Sequence, residues 1–320
     1  MTADGNRAGS SCSVVIPVFN GSESLGELAA RLEPVLRQSF GRFEVILVND
    51  GSSDASWPVI ADLARRYPWI TGIDLMRNYG QHNALLCGIQ EATGELIVTM
   101  DDDLQHRPED IPTLVAALDG ETDLVYGTPV EEQHGLFRDF ASQTTKLALR
   151  TSMGVKAASL VSPFRLFRTE IRQAFATCRQ PRVTIDVLLS WGTSRLKGVA
   201  VPHEKRKHGT SNYSFRHLVR HAATMITGYS TLPLRLASLA AFLFMALGFV
   251  AFLFVILRAL IYGRPVPGFA MLASLITILS GVQLFSLGIL GEYIARMHVR
   301  MMDSPPYVVR TRVETGRDRR

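Results

Sequence analysis

Glu95-Leu96-Ile97-Val98-Thr99-Met100-Asp101-Asp102-Asp103 is the stretch on which the fold turns. A run of aliphatic and β-branched side chains, opened by Gly94 and closed by acids, has the length of a strand and lacks polar alternation. It reads as a central strand covered on both faces. Turn or capping chemistry accounts for one carboxylate at its end and not for three. Like charges so close are tolerable where a cation neutralises them, and a hard divalent ion bound through oxygen fits. If the strand geometry continues, Asp101 and Asp103 project to one side and Asp102 to the other. Gln105 is a further candidate oxygen donor.

The same grammar extends on both sides. Strands at 13–16, 43–48, 70–75, 95–100 and 124–126 alternate with helical spacing at 22–38, 54–66, 81–92 and 108–118. Ser22 and Asp54 stand where caps belong, and Pro108 falls in a first turn. Such alternation predicts an α/β domain, a mostly parallel sheet with flanking helices. Ligands of open sheets of this kind bind beyond the carboxyl ends of the strands. Strand 43–48 runs into Asn49-Asp50-Gly51-Ser52-Ser53-Asp54, so a second acid, Asp50, marks a neighbouring strand end. A carboxylate there suits a nucleobase or ribose, and the acid cluster suits a metal bridging a diphosphate as it leaves.

The chain of 320 residues is 47% hydrophobic, and the apolar excess is local. Two charge-free runs, 236–257 and 265–291, are each long enough to cross a hydrocarbon core of about 30 Å and predict membrane spans near 236–258 and 267–291. Lys205, Arg206, Lys207, Arg216, Arg220 and Arg235 precede the first, and Arg296, Arg300, Arg310 and Arg312 follow the second. Both termini and the catalytic part are therefore expected in the cytoplasm, on a multi-pass protein of the inner (plasma) membrane. Residues 1–11 read as a flexible N-terminus without an apolar segment, so no cleaved signal is expected. Between 213 and 229, Phe215, Leu218, Val219, Ala222, Met225, Ile226 and Tyr229 share one helical face, as in a helix lying in the membrane interface. The net charge of +5 sits beside the apolar runs and in the 310–320 tail, where anionic lipid accounts for it. No recognition motif accompanies it, so nucleic acid is excluded as a partner. Cys12, Cys87 and Cys178 are too scattered for a metal site and read as free thiols. Trp57, Trp69 and Trp191 read as packing residues. His82 and His106 read as turn or capping residues, and Asp186 as a helix N-terminal acid.

Ile16-Pro17-Val18-Phe19-Asn20, Val48 to Asp54, Arg77-Asn78-Tyr79-Gly80-Gln81-His82, Met100 to Pro108 and Arg206-Lys207-His208-Gly209-Thr210-Ser211-Asn212-Tyr213 follow one another as in glycosyltransferase family 2. More narrowly, the chain resembles the polyprenyl-phosphate glycosyltransferases. The match is best with bacterial enzymes that place 4-deoxy-4-formamido-arabinose or glucose on undecaprenyl phosphate, and it extends to the dolichyl-phosphate mannose synthase type. The resemblance runs from about residue 12 to 305. It implies a GT-A type, Rossmann-like catalytic domain over 12–212, a juxtamembrane helix over 213–233, two transmembrane helices within 234–292 and a cytoplasmic tail over 293–320. It also implies an inverting transfer of one sugar from a nucleotide sugar, UDP favoured, to a lipid phosphate.

By position, the resemblance puts Pro17, Asn20, Asp50, Asp101, Asp102, Arg206 and Ser211 at the nucleotide sugar. It puts Asp101, Asp103 and Gln105 at Mg2+ or Mn2+, and makes Asp101, Asp103 and Arg206 the catalytic set. Arg138 and Arg165 fall at the acceptor phosphate. Relatives of this kind often assemble into homo-oligomers. Ser159 and Asn212 stand where many relatives have Asp and Lys, and no arginine follows the fifth strand. Two other readings compete. A processive polysaccharide synthase carries a Gln-x-x-Arg-Trp segment, and none occurs here. A non-catalytic membrane scaffold has no use for Asp50, Asp101 and Asp103.

Overall fold

The computed structural model describes residues 10–129, 160–176, 178, 183–202, 204, 232–262, 268–302, 304–314 and 317–319. The chain divides into two compact units, one of them holding residues 1–140, 153–213 and 303–320. In this first unit β1 (Ser11–Val18), β2 (Arg42–Asn49), β3 (Ile70–Leu75) and β4 (Leu96–Thr99) alternate with α1 (Leu25–Ser39), α2 (Ser56–Arg66) and α3 (Gln81–Glu91). After β4 come α4 (Ile111–Ala117), β5 (Leu124–Pro129), β6 (Arg165–Arg168), α5 (Ile185–Gly192) and β7 (Leu196–Val201). The strands form one sheet in the order β7-β5-β6-β4-β1-β2-β3-β8-β9, where β8 is Val309–Glu314 and β9 is Arg317–Arg319. β1 pairs in parallel with β2 and β4, and β2 with β3, so four carboxyl ends face the same way.

Alternation along the strands builds two cores. Val14, Ile16 and Val18 of β1, Val45 and Leu47 of β2 and Val98 of β4 join α1, α2 and α4 on one face. Val15, Ile46, Val48 and Ile97, the residues between, join α3 and α5 on the other. Both faces of β4 are thus covered, as its uninterrupted apolar run requires.

Three differences from expectation have physical reasons. Asp54 stands one residue ahead of the N-cap position, Ala55; α2 starts at Ser56, and Asp54 Oδ1 accepts the Ser56 amide (3.0 Å) and hydroxyl (2.6 Å) while Oδ2 accepts the Ser22 amide (3.2 Å). Trp191, read as a packing residue, is 53% exposed at the end of α5. The residues after the second apolar run are no plain tail. β8 pairs antiparallel with β3, and Arg310 and Arg312 form ion pairs with Asp74 and Glu91, so part of the charge ascribed to lipid attraction holds the fold together.

In the second unit α6 (Leu232–Tyr262) and α7 (Phe269–Met301) pack on each other. Leu239, Phe242, Leu247, Phe254, Leu284, Phe285 and Leu287 are all more than half exposed, an apolar surface far larger than water tolerates. Among the described residues, one stretch, Ile278–Ala295 of α7, is long and apolar enough to cross a membrane, and Ala237–Val250 of α6 is a shorter apolar segment. The interfacial helix expected near 213–233 falls almost entirely outside the described residues.

Candidate functional site

Strand alternation carries past the end of β4. Asp101 turns to the α3 face, where Gln81 Nε2 donates to its Oδ1 at 2.6 Å. Asp102 turns to the opposite face, against Gly21 ahead of α1; a Cβ on Gly21 would lie 2.0 Å from Asp102 Oδ2. Asp103 Oδ1 accepts the amide of Gln105 at 3.1 Å. Between them Leu104 holds a left-handed conformation, φ 58°, with its side chain buried at 1%. For a branched residue that backbone costs about 1–2 kcal/mol, and such strain gathers at functional turns. Asn20, the other non-glycine with positive φ (54°) among the described residues, sits at the end of β1 beside them.

Asp50 is buried at 2% instead of lying open at its strand end. Its Oδ1 accepts the Tyr79 amide at 2.7 Å and its Oδ2 the Gly80 amide at 2.9 Å. Burial raises its pKa above the ordinary carboxylate value against the pull of these amides. Through these two bonds Asp50 organises the 77–80 loop at the end of its strand. Arg77 of that loop stacks on Tyr79, 4.3 Å from the ring centroid. Gly51 makes the interlock feasible. Its φ is +65°, and a Cβ there would lie 2.5 Å from the Arg77 carbonyl carbon and the Asn78 nitrogen. Gly51→Ala is expected to destabilise the domain by more than the ~1–2 kcal/mol of the left-handed backbone alone, since the 77–80 backbone must also move. Chemical denaturation measures it.

Asn20 ties β1 to the same turn: its amide donates to Ser52 Oγ (3.0 Å) and its Oδ1 accepts the Ser53 amide (2.9 Å). Pro17 is buried within β1, opposite Val48 in register. Glu204 follows β7, its amide donating to the Gln105 carbonyl at 2.9 Å and its Oε1 standing 3.7 Å from Arg107 Nε. The last described residue before the segment of Arg206 and Ser211 is thus pinned beside the acid cluster. Arg206, Ser211 and Arg138 lie outside the described residues.

Arg165 is 2% exposed, its Nε donates to Thr99 Oγ1 at 2.8 Å, and its Nη1 is paired with Asp186 Oδ1, which also accepts the Tyr126 hydroxyl at 3.1 Å. Arg165 is thus a buried, charge-paired guanidinium rather than a surface cation. Asp186, in the first turn of α5, keeps the helix N-terminal place expected of it and gains this partner. His82 Nδ1 accepts the Ile185 amide at 3.4 Å, and His106 stacks on Phe164 with centroids 5.3 Å apart. The Gln81 contact was not legible in spacing; its one signal was a polar residue opening α3 beside a strand-end acid.

Among the described residues no three acidic, histidine or cysteine groups converge into a closed cage. The donor set still fits a Mg2+-type ion, which takes one or two carboxylates and completes its shell with phosphate and water.

The glycosyl transferase family 2 model matches residues 13–175, and the GtrB C-terminal hairpin model matches 232–297. The chain is 36% identical over 301 residues to the undecaprenyl-phosphate 4-deoxy-4-formamido-L-arabinose transferase of Aeromonas hydrophila, covering 93% of this chain and 92% of that one. It is 35% identical to the transferase of the same name from Pseudomonas savastanoi, covering 93% and 89%. Among solved structures, mannosyl-3-phosphoglycerate synthase from Rubrobacter xylanophilus superposes with a TM-score of 0.52 at 16% identity, covering 71% of this chain and 74% of that one. Glucosyl-3-phosphoglycerate synthase from Mycobacterium tuberculosis, in complex with Mn2+, UDP and phosphoglyceric acid, gives 0.52 at 19%, covering 69% and 77%. These two likenesses speak to the fold, which is of the GT-A type. With a family model over half its length and relatives matched nearly end to end, the chain belongs to glycosyl transferase family 2.

Proposed function

We propose that the chain moves one sugar from a nucleoside-diphosphate sugar, UDP favoured, to undecaprenyl phosphate at the cytoplasmic face of the membrane, with inversion. The observation that carries this reading is the similarity over nearly the full length, hairpin included, to relatives named for transfer to undecaprenyl phosphate. The site geometry agrees with a phosphate as nucleophile. Asp186, the acid that a hydroxyl-attacking enzyme of this fold would need as base, is buried at 4% and engaged by Arg165 and Tyr126. A lipid phosphate is ionised at neutral pH and needs no such base.

Asp101 and Asp103, with Gln105, are the residues to hold a divalent ion, which when bound would neutralise the donor diphosphate. The Mycobacterium tuberculosis synthase, solved with Mn2+ and UDP, is in keeping with that choice. Gln81 orients Asp101, while Asp50, Gly51 and Asn20 shape the loops at the nucleotide. Arg206 and Ser211, which follow Glu204 in sequence, are assigned to the donor diphosphate by the family resemblance. The chemistry is alignment and charge neutralisation. A calorimetric screen of UDP-, GDP- and dTDP-sugars with Mg2+ or Mn2+ tests the donor. Metal-dependent binding of one UDP-sugar is expected, and no binding by any of them contradicts the reading.

Chain connectivity supports the topology. β7 and β8 belong to one sheet, so whatever lies between them crosses a bilayer an even number of times. A single crossing by α7 is thereby disfavoured, and α6 with α7 as a two-span hairpin satisfies the parity. The Lys and Arg distribution puts the sheet on the cytoplasmic side. Leu260→Cys, near the hairpin connection, is accordingly expected to react with an impermeant maleimide in intact cells. Val308→Cys, just before β8, should react only after permeabilisation, and equal labelling of both in intact cells contradicts the hairpin.

A further inference from the structure

Arg310 of β8 lies far along the chain from the strand-end loops, yet it is bonded to Asp74 of β3 and to the Met76 carbonyl at the start of the 76–80 loop. Its Nη1 is 3.3 Å from Asp74 Oδ2, and its Nη2 donates to the Met76 carbonyl at 2.8 Å. Asp74 is 3% exposed, and its other oxygen accepts Asn49 Nδ2 at 2.7 Å. Asn49 Oδ1 in turn accepts the Ser52 amide at 3.4 Å, and Ser52 Oγ accepts the Asn20 amide at 3.0 Å. Met76 directly precedes Arg77, the residue packed against Gly51. One guanidinium therefore braces the 49–53 turn through Asp74 and the 76–80 loop through a carbonyl, and Asp50 lies between the two.

The strand that carries it is docked independently. Arg312 pairs with Glu91, and the Tyr307 hydroxyl bonds Gln90 Oε1, both at the end of α3. β8 also continues the ladder of β3 through Asp74 and Thr311, so its position does not depend on Arg310.

We propose that Arg310 is a positioning residue for the nucleotide side of the site, supplied by a strand that joins the sheet only after the apolar hairpin. The inference rests on the reading of these loops as the donor subsite. Energetically the pair is lopsided. Arg310 is about half exposed, so its direct attraction is screened and small. Asp74 is buried, so removing Arg310 leaves a carboxylate in the interior with Asn49 as its remaining donor among the bonds described, and the loop anchored on Asn49 absorbs the cost.

The test uses the full-length protein in nanodiscs. Arg310→Ala is expected to speed amide exchange in peptides covering 49–53 and 76–83 by about tenfold, with α1 unchanged. UDP with Mg2+ should bind about tenfold more weakly, and the donor KM should rise while kcat stays within about threefold. Arg310→Lys, which keeps the charge and loses the fork, should fall between. Arg310→Ala with Asp74→Asn, which removes the stranded charge, should restore much of the protection. Unchanged exchange in both loops overturns the positioning role whatever the activity does. A fall in kcat alone, at constant KM, also overturns it, since that is the mark of a smaller folded fraction. Faster exchange with undiminished UDP binding upholds the bracing and overturns the donor reading on which the role rests.

Discussion

Asp103→Ala is expected to lower sugar transfer by about 10²–10³-fold, the scale set by losing one group that steadies developing charge. The fold should survive. Asp103 lies in a turn, where its Oδ1 accepts the Gln105 amide, and its removal relieves repulsion within the acid cluster. The melting temperature should therefore stay within a few degrees of the parent, as circular dichroism can follow. The variant should also weaken metal-dependent nucleotide binding, because the ion loses one of its two carboxylates. A scaffold that merely keeps the fold would be indifferent to this change. Transfer within threefold of the parent, or an unaltered cellular role, would count against the catalytic reading of the cluster.

Asp186→Ala is expected to act on stability first. Arg165 and Asp186 form an ion pair with side-chain exposures of 2% and 5%, bridged to Tyr126 and Thr99. Removing one partner leaves a buried guanidinium without its counter-charge, and such losses cost about 3–5 kcal/mol. Replacing both, as Arg165→Met with Asp186→Leu, should recover most of that, because well-packed apolar pairs commonly match buried ion pairs. Urea denaturation distinguishes the two. A loss below about 1 kcal/mol for the single variant would mean that Arg165 reaches solvent and is available to an acceptor phosphate after all.

Much of this was legible in the sequence. The covered central strand, the helices between parallel strands and the split of Asp101 from Asp102 all follow from a side-chain period of two and from runs too apolar to face water. What escaped has identifiable causes. The resemblance places Arg165 at the acceptor phosphate by position, and position alone does not reveal burial, which is rare for a charged side chain. The counter-signal was present in Phe164-Arg165-Leu166-Phe167 and Ile185-Asp186-Val187-Leu188, two opposite charges each alone in an apolar stretch. The arginines that dominate β8 make it read as a basic tail. Yet Val309-Arg310-Thr311-Arg312-Val313-Glu314 alternates as a half-buried strand does, and Val313 is buried at 2%. Nothing local to Asp50 reveals that the 77–80 amides turn back onto it. That contact joins residues 29 and 30 positions apart and exists only once β2 and β3 are paired.

The central claim is transfer to a lipid phosphate, and product analysis tests it most directly. Purified protein, undecaprenyl phosphate, Mg2+ or Mn2+ and radiolabelled UDP-sugars are incubated together and extracted with organic solvent. Label is expected in the organic phase as an acid-labile glycolipid from at least one UDP-sugar, and its formation should be abolished by Asp103→Ala. No extractable label from any UDP-, GDP- or dTDP-sugar, with lipid and metal supplied, would contradict the account.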